Sequence, residues 1–398
     1  MSGKQRIGIT AALCGICLIV FSFVFDIWHP TAKETVLRVG FIYENDESTP
    51  YTYNFYLAQS AIEKEYGSRI QVYSRSNVLN DETEDPIREL IQRGCTLLFT
   101  NSYSEQVMEL AAEFPQVEFC QVSFRQTDPK STPENYHTFK GAAYQARYVS
   151  GVAAGLKLKE EIDAGTLTPE AALVGYVAAM PTDEVISGYT AFLLGIRSVV
   201  PEAVMRVRYT GVWSSYTLEK AQAARLIAEG CVVIGQHTDT IGPAVACEES
   251  ADRQKLVHIG YNQSMLDVAP TTSLISARIN WTPYIAGAVG AMLSGKKIEQ
   301  SVPGTVWGRD MCAGFDRGWV EMLELNESIA AEGTDARLQK EIDALIHGRT
   351  EVFRGPYTGV NPADSSDTID LSAGFRENAQ SSSPTFHYLL KDIITVEE

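Results

Sequence analysis

Positive charge is scarce in this chain of 398 residues: 33 lysines and arginines stand against 50 aspartates and glutamates, a formal net charge of −17. No cluster of Lys or Arg follows the N-terminus, which argues against a nucleic-acid partner. There are six histidines, and "NQSM" and "LISA" lack the glycines of a G-x-S-x-G elbow, so nothing points to nucleophilic hydrolysis. There is no G-x-x-x-x-G-K-[ST] phosphate loop, and "VGYVAAMP" lacks the glycine spacing of a dinucleotide site. No cofactor is therefore expected. Of seven cysteines, Cys14 and Cys17 lie near the N-terminus; Cys95, Cys120, Cys231, Cys247 and Cys312 are scattered and form no C-x-x-C pair. That spacing argues against structural zinc. The odd number in the body argues against a complete disulfide framework and favours buried free thiols.

One long apolar run is present. Lys4 and Arg6 precede "IGITAALCGICLIVFSFVF", Ile7–Phe25, 19 residues without charge. A helix of that length spans a bilayer core of roughly 30 Å. Basic residues before it place a short tail in the cytoplasm and the body outside the cell. A cleaved signal peptide is the rival reading; its apolar run is usually shorter, and no clear A-x-A site follows. A lipoprotein attachment site fits poorly, since Leu13 and Ile16 precede the two cysteines.

Beyond this segment, short β-rich runs alternate with amphipathic stretches. "VLRVGFIY", "IQVYSR", "TLLFTN" and "VEFCQVSF" read as strands separated by helices that end at Gly or before Pro, and a longer helix follows over "AAYQARYVSGVAAGLKLKEE". The rhythm restarts at "AALVGYVAA" and runs through "VMRVRYTG", "CVVIGQ" and "KLVHIGYN". Continuous apolar strands alternating with helices indicate buried parallel sheets. The expected fold is α/β, with two doubly wound lobes and a cleft between them. The expected boundaries are a tail and anchor or signal over 1–33, a first lobe over 34–160 plus about 280–300, and a second over 165–279 plus about 301–354. A Ser-, Asp- and Pro-rich C-terminal extension covers 355–398; it reads as surface or hinge-covering loops before a final strand, with partial disorder as the alternative.

In such sheets ligands bind beyond the carboxyl ends of the strands. That rule selects Asn101 and Ser102 after the third strand, Gln236, His237 and Asp239 in "IGQHTDTIGP", and the polar segment "YENDESTPYTYN" after the first strand. His237 and Asp239 lack the partner spacing of a metal site, so they read as a pocket rim or as an ordinary strand-to-helix turn. Aromatics gather at strand exits: Tyr51, Tyr53 and Tyr56; Trp213 and Tyr216; Trp281 and Tyr284 beside Asn280. Single aromatics usually pack in cores; several at strand exits beside amides suit a clamp for a planar heterocycle.

The stretches "GAAYQARYVSGVAAGLKLK", "LVGYVAAMPTDEVISGYTAFLLGIRSVVPEAVMRVRYTGVWSSYTLEKAQAARLIAEG" and "IGYNQSMLDVAPTTSLISARINWTPYIAGAV" resemble the basic membrane protein (Bmp) family of ABC-transporter solute-binding proteins, over about Val36 to Phe353. The resemblance implies a type I periplasmic-binding fold, a purine base or nucleoside as ligand, no catalysis, and an ABC permease as partner. It puts the first stacking aromatic on Tyr53, the base-binding amide on Asn54 and the second aromatic on Trp213. The loop after the third strand of the second lobe falls on Gln236 to Asp239. The family's acidic ribose binder falls on Asn262 and its lysine near Ile279, beside Arg278 and Asn280. Losing that carboxylate and lysine shifts the expectation toward a free base. A ligand-sensing surface protein of the same fold, without a transporter, is the alternative reading.

Overall fold

The computed structural model describes residues 36–128 and 130–397. The apolar N-terminal run Ile7–Phe25 lies outside the described residues; within them, no helix is long and apolar enough to cross a membrane.

Two seven-stranded sheets organise the chain. The first takes β1 (Leu37–Ile42), β2 (Ile70–Arg75), β3 (Leu97–Thr100), β4 (Glu118–Val122) and β5 (Tyr136–Gly141), and the second takes β6 (Leu173–Ala178), β7 (Val204–Tyr209), β8 (Val233–His237), β9 (Val257–Tyr261) and β10 (Ser273–Ile279). All ten pair in parallel within their sheets. The hairpin β11 (Thr305–Trp307) and β12 (Asp310–Ala313) extends the first sheet beside β5, and β13 (Val320–Met322) extends the second beside β10. These are the two doubly wound lobes that the alternating pattern implies.

Two boundaries differ from those read in the sequence. Helix Ala143–Asp163 belongs to the second lobe, not the first. Its residues Ala146–Gly155 are all buried, and they join the apolar cluster of β6, β7 and helix Asp183–Arg197. Two glycines allow the close crossing: a Cβ on Gly151 would meet the Phe192 carbonyl oxygen at 2.1 Å, and one on Gly195 would meet that of Tyr148 at 2.1 Å. Hairpin 305–313 belongs to the first lobe, not the second, because β12 pairs with β5. The extension is folded: β14 (Thr358–Asn361), β15 (Asp364–Asp370) and β16 (Leu389–Leu390) make a small antiparallel sheet, and β17 (Ile394–Glu397) pairs in parallel with β7 at the edge of the second sheet. Its composition reads as loop because most of β15 faces solvent; Leu371, Phe386, Leu390 and Ile394 supply the buried contacts.

The chain crosses between lobes from β5 into the helix at Ala143, from β10 into helix Thr282–Leu293, and from β12 to β13. The carboxyl ends of both sheets meet at the resulting cleft. The five body cysteines are free and buried.

Candidate functional site

The cleft holds a narrow cavity of about 50 Å³ lined by Glu44, Asn45, Tyr51, Phe124, Lys140, Glu184, Trp213, His237, Asp239 and Tyr261. It opens toward a wider vestibule of about 750 Å³ that shares Glu44, Phe124, Glu184 and Trp213. A recess of about 720 Å³ exists at the amino ends of β4 and β5, around the His137 ring and Glu118, on the far side of the first sheet from the cleft.

Each lining residue leaves the end of a strand or the start of a helix. Tyr51 sits in the first turn of helix Pro50–Tyr66, and its hydroxyl donates to the Asn101 carbonyl at 2.5 Å. Asn101 is buried behind this floor: its Oδ1 accepts from the Glu44 amide at 2.8 Å and its Nδ2 donates to Thr52 at 3.3 Å. Asn101 therefore positions Glu44 and Tyr51 without lining the cavity. Ser102 is buried, and its hydroxyl has no partner among the described residues. Asn54 is buried and bridges the lobes, donating from Nδ2 to the Asn262 carbonyl at 2.9 Å.

The loop after β8 is built for rigidity. Buried Glu219 accepts from the Ser215 amide at 2.9 Å and from the Thr240 amide and hydroxyl at 3.1 and 2.7 Å, satisfying donors at a helix start. Gln236 is fully buried; its Nε2 donates to the Thr238 and Thr240 carbonyls, and its Oε1 pairs with His258 Nε2 at 2.9 Å. Gln236 thus holds the loop from behind. The Asp239 amide donates to the Trp213 carbonyl at 2.9 Å, which ties these two cavity residues together. Asn262 has φ 66°, a left-handed conformation that asparagine tolerates better than most residues. Its Nδ2 reaches Asp239 at 3.4 Å, while its buried Oδ1 has no partner among the described residues.

Electrostatics in the cavity are unbalanced. Glu44, Glu184 and Asp239 face one lysine, Lys140, whose Nζ bonds Glu184 across the lobes at 2.6 Å. Burial raises the Glu44 carboxyl above the usual range. Asp239 is pushed up to about 8, by burial first and then by the charges of Glu219, Glu44 and Glu184; at neutral pH it is a neutral acid that can donate as well as accept. His237 is held well below its ordinary value by burial and by the charges of Arg147 and Lys140. It stays neutral, edge-on to Tyr261 at 4.9 Å and to Trp213 at 6.0 Å, and its Nδ1 is buried without a partner among the described residues. Arg147 lies over the Tyr261 ring at 3.6 Å and donates to the Gln236 carbonyl at 2.8 Å.

Of the expected residues, Trp213, His237 and Asp239 line the cavity; Asn54, Asn101, Ser102, Gln236 and Asn262 lie behind or beside it, and three more fall elsewhere. Tyr53 is 45% exposed; helical phase turns it away from the face that carries Asn54, Phe55, Ala58 and Ile62, and Tyr51 lines the cavity instead. Trp281 is a core residue, stacked on Phe55 at 4.5 Å and edge-on to Tyr51 at 6.1 Å, so it supports Tyr51 from behind. Asn280 caps a turn by accepting from the Thr282 amide at 3.1 Å. The sequence reading left Lys140, Glu184 and Tyr261 unassigned. Their signal was position: a lysine near the end of buried β5, an acid in a helix first turn after β6, and an aromatic closing β9. Among the described residues, no group of three or more His, Cys, Asp or Glu side chains could hold a metal ion.

A cavity of aromatic and charged side chains between two lobes, at the carboxyl ends of parallel strands, has the position and lining expected of a small-molecule site. The family model Bmp, described as ABC transporter substrate-binding protein PnrA-like, matches residues 36–350. The chain belongs to this family. As a Bmp-family chain it is a substrate-binding protein of the ABC-transporter type. It is 27% identical over 332 residues to a purine-binding protein of Brucella abortus, covering 81% of this chain and 85% of that one. It is also 27% identical over 300 residues to a putative ABC transporter glucose-binding protein of Haloferax volcanii, covering 75% and 69%. The fold resembles an ABC transporter solute-binding protein from Aeropyrum pernix K1, with a TM-score of 0.65 at 15% identity over 83% of this chain and 95% of that one.

Proposed function

We propose that this protein is a membrane-tethered, extracellular solute-binding component of an ABC importer that carries a purine base or nucleoside, without catalysis. The observation that carries the reading is the cavity's composition: Tyr51, Phe124, Trp213, His237 and Tyr261 surround a narrow space whose other lining groups are Glu44, Asn45, Lys140, Glu184 and Asp239. A planar heterocycle stacks its faces on rings and meets donors and acceptors at its edges. Exocyclic amino and ring N–H groups match the acceptor oxygens of Glu44 and Glu184, and the neutral acid of Asp239 can donate a hydrogen bond to a ring nitrogen. The 27% identity to the Brucella abortus purine-binding protein supports the same class. A cavity of about 50 Å³ has room for only a few waters, at roughly 10–15 Å³ each. The ligand therefore enters with the lobes parted, and lobe closure is the signal read by a permease.

Asn262 carries no charge and its Nδ2 donates to Asp239, so a diol would meet one neutral amide oxygen where the family has a carboxylate. Free bases then bind at least as tightly as their nucleosides. Calorimetry with adenine, adenosine, guanine and guanosine tests this: nucleosides binding ten times more tightly than bases, about 1.4 kcal/mol, would show an intact ribose site. Glucose belongs in the same series, because a relative is named for it and aromatic faces with carboxylates also suit a sugar; tight glucose binding with no purine binding would overturn the purine assignment.

A further inference from the structure

The family match ends at residue 350, yet the chain continues and returns to the lobe interface. The returning segment is anchored on the second lobe by buried Glu377, whose carboxylate accepts from the Ser187 hydroxyl at 2.6 Å, the Thr385 amide at 2.7 Å and the Phe386 amide at 3.2 Å. Phe386 stacks on Phe353 at 4.4 Å in the second-lobe core. Between these anchors the loop crosses to the first lobe. There Ser381 donates from its hydroxyl to Asp310 Oδ2 at 2.9 Å, and Ser382 donates to the same carboxylate from its amide at 2.7 Å and from its hydroxyl. Asp310 belongs to β12 of the first sheet and is also held by Thr138 at 2.8 Å. All three residues of this contact are buried. The next residues, Ser383, Pro384 and Thr385, wall the vestibule opposite Arg125 and Gln126.

We infer that residues 377–386 form a strap that latches the two lobes through Asp310, restricts their opening and thereby sets ligand affinity. It adds to the three chain crossings a tie made of breakable hydrogen bonds, as are the Asn54–Asn262 and Lys140–Glu184 contacts. Those bonds converge on a carboxylate, so they are stronger than neutral ones. Wide opening would strip a buried carboxylate of its donors, which disfavours the open state. A ligand that needs the closed form binds more tightly when closure is already populated.

The test compares the full chain with Asp310→Asn and with the double variant Ser381→Ala/Ser382→Ala, by hydrogen-exchange mass spectrometry without ligand and by calorimetry with adenine. Loss of the latch should speed exchange of cleft amides in segments 44–49 and 238–241 by about fivefold or more, and weaken adenine binding by about tenfold. Acceleration confined to 377–386, with cleft exchange and affinity unchanged, would make the contact merely local and overturn the inference. Should Asp310→Asn fail to fold, the serine variant, which leaves Asp310 in place, decides. The affinity arm rests on the purine reading; the exchange arm does not. Adenine failing to bind the unaltered chain would refute the ligand assignment and leave the latch to be judged by exchange alone.

Discussion

Replacing Asp239 by asparagine should change how stability depends on pH, and the sign follows from where the carboxyl sits. Its folded value is about 8 against an ordinary 3.8. Between these values the folded protein keeps a proton that the unfolded chain has released. Stability is therefore highest below the unfolded value and falls as pH rises toward about 8, with a slope of up to about 1.4 kcal/mol per pH unit. The whole interval would amount to roughly 6 kcal/mol. Asp239 borders the cavity, so water entering the cleft can solvate the ionised form. We expect about 2 kcal/mol between pH 5 and 8.5, less than half the upper bound. Asparagine has the same shape and does not titrate, so subtracting the variant's curve removes every other titrating group. Urea midpoints measured at several pH values should show the unaltered protein losing stability relative to Asp239→Asn as pH rises. A difference that stays constant across that range would mean that Asp239 is already ionised in the folded state, and the neutral-acid argument for ligand recognition would fall with it.

Other expectations separate cavity from core. Trp213→Ala should weaken adenine binding by about 1–3 kcal/mol, the range of a lost base–aromatic stack, with little change in the unfolding temperature of the free protein; a large loss of stability at unchanged affinity would place Trp213 in the core. Trp281→Ala should do the reverse, costing about 3–5 kcal/mol of stability by denaturant titration, because Trp281 is 1% exposed and stacks on Phe55; stability within 1 kcal/mol of the parent, as is usual for surface sites, would refute that assignment.

Much of this architecture was legible in the chain, and the gaps have identifiable physical causes. The apolar strands β1, β3, β6 and β8 announce themselves because both faces of each sheet are covered. Strand β5, "YHTFKG", does not, since His137 and Lys140 interrupt its apolar character; each is buried only because Glu118, Glu299 and Glu184 meet it from other elements. The choice of Tyr53 over Tyr51 was an error of helical phase: two residues apart on a helix face different ways, and the resemblance supplied an order of residues but not the start of the helix at Pro50. Asn280 and Trp281 follow β10, where a ligand residue is reasonable, yet the chain there is crossing between lobes and its ring is taken up by the first-lobe core. The extension was opaque because its order comes from distant contacts such as Phe353 with Phe386 and Asp310 with Ser382, which composition cannot reveal.

The pairing of β17 with β7 has a consequence for biosynthesis. The second sheet gains its last strand from residues 394–397, beside a strand made almost two hundred residues earlier. The first sheet waits in the same way for β12. Domains generally fold as units while the ribosome is still adding residues, but here neither sheet is complete when its own stretch of chain has emerged. A nascent polypeptide stalled before residues 394–397 are made would present the backbone of β7 as an open edge, able to recruit a strand from another molecule. A variant lacking residues 394–397 would carry the same open edge, and its self-association in solution should rise accordingly.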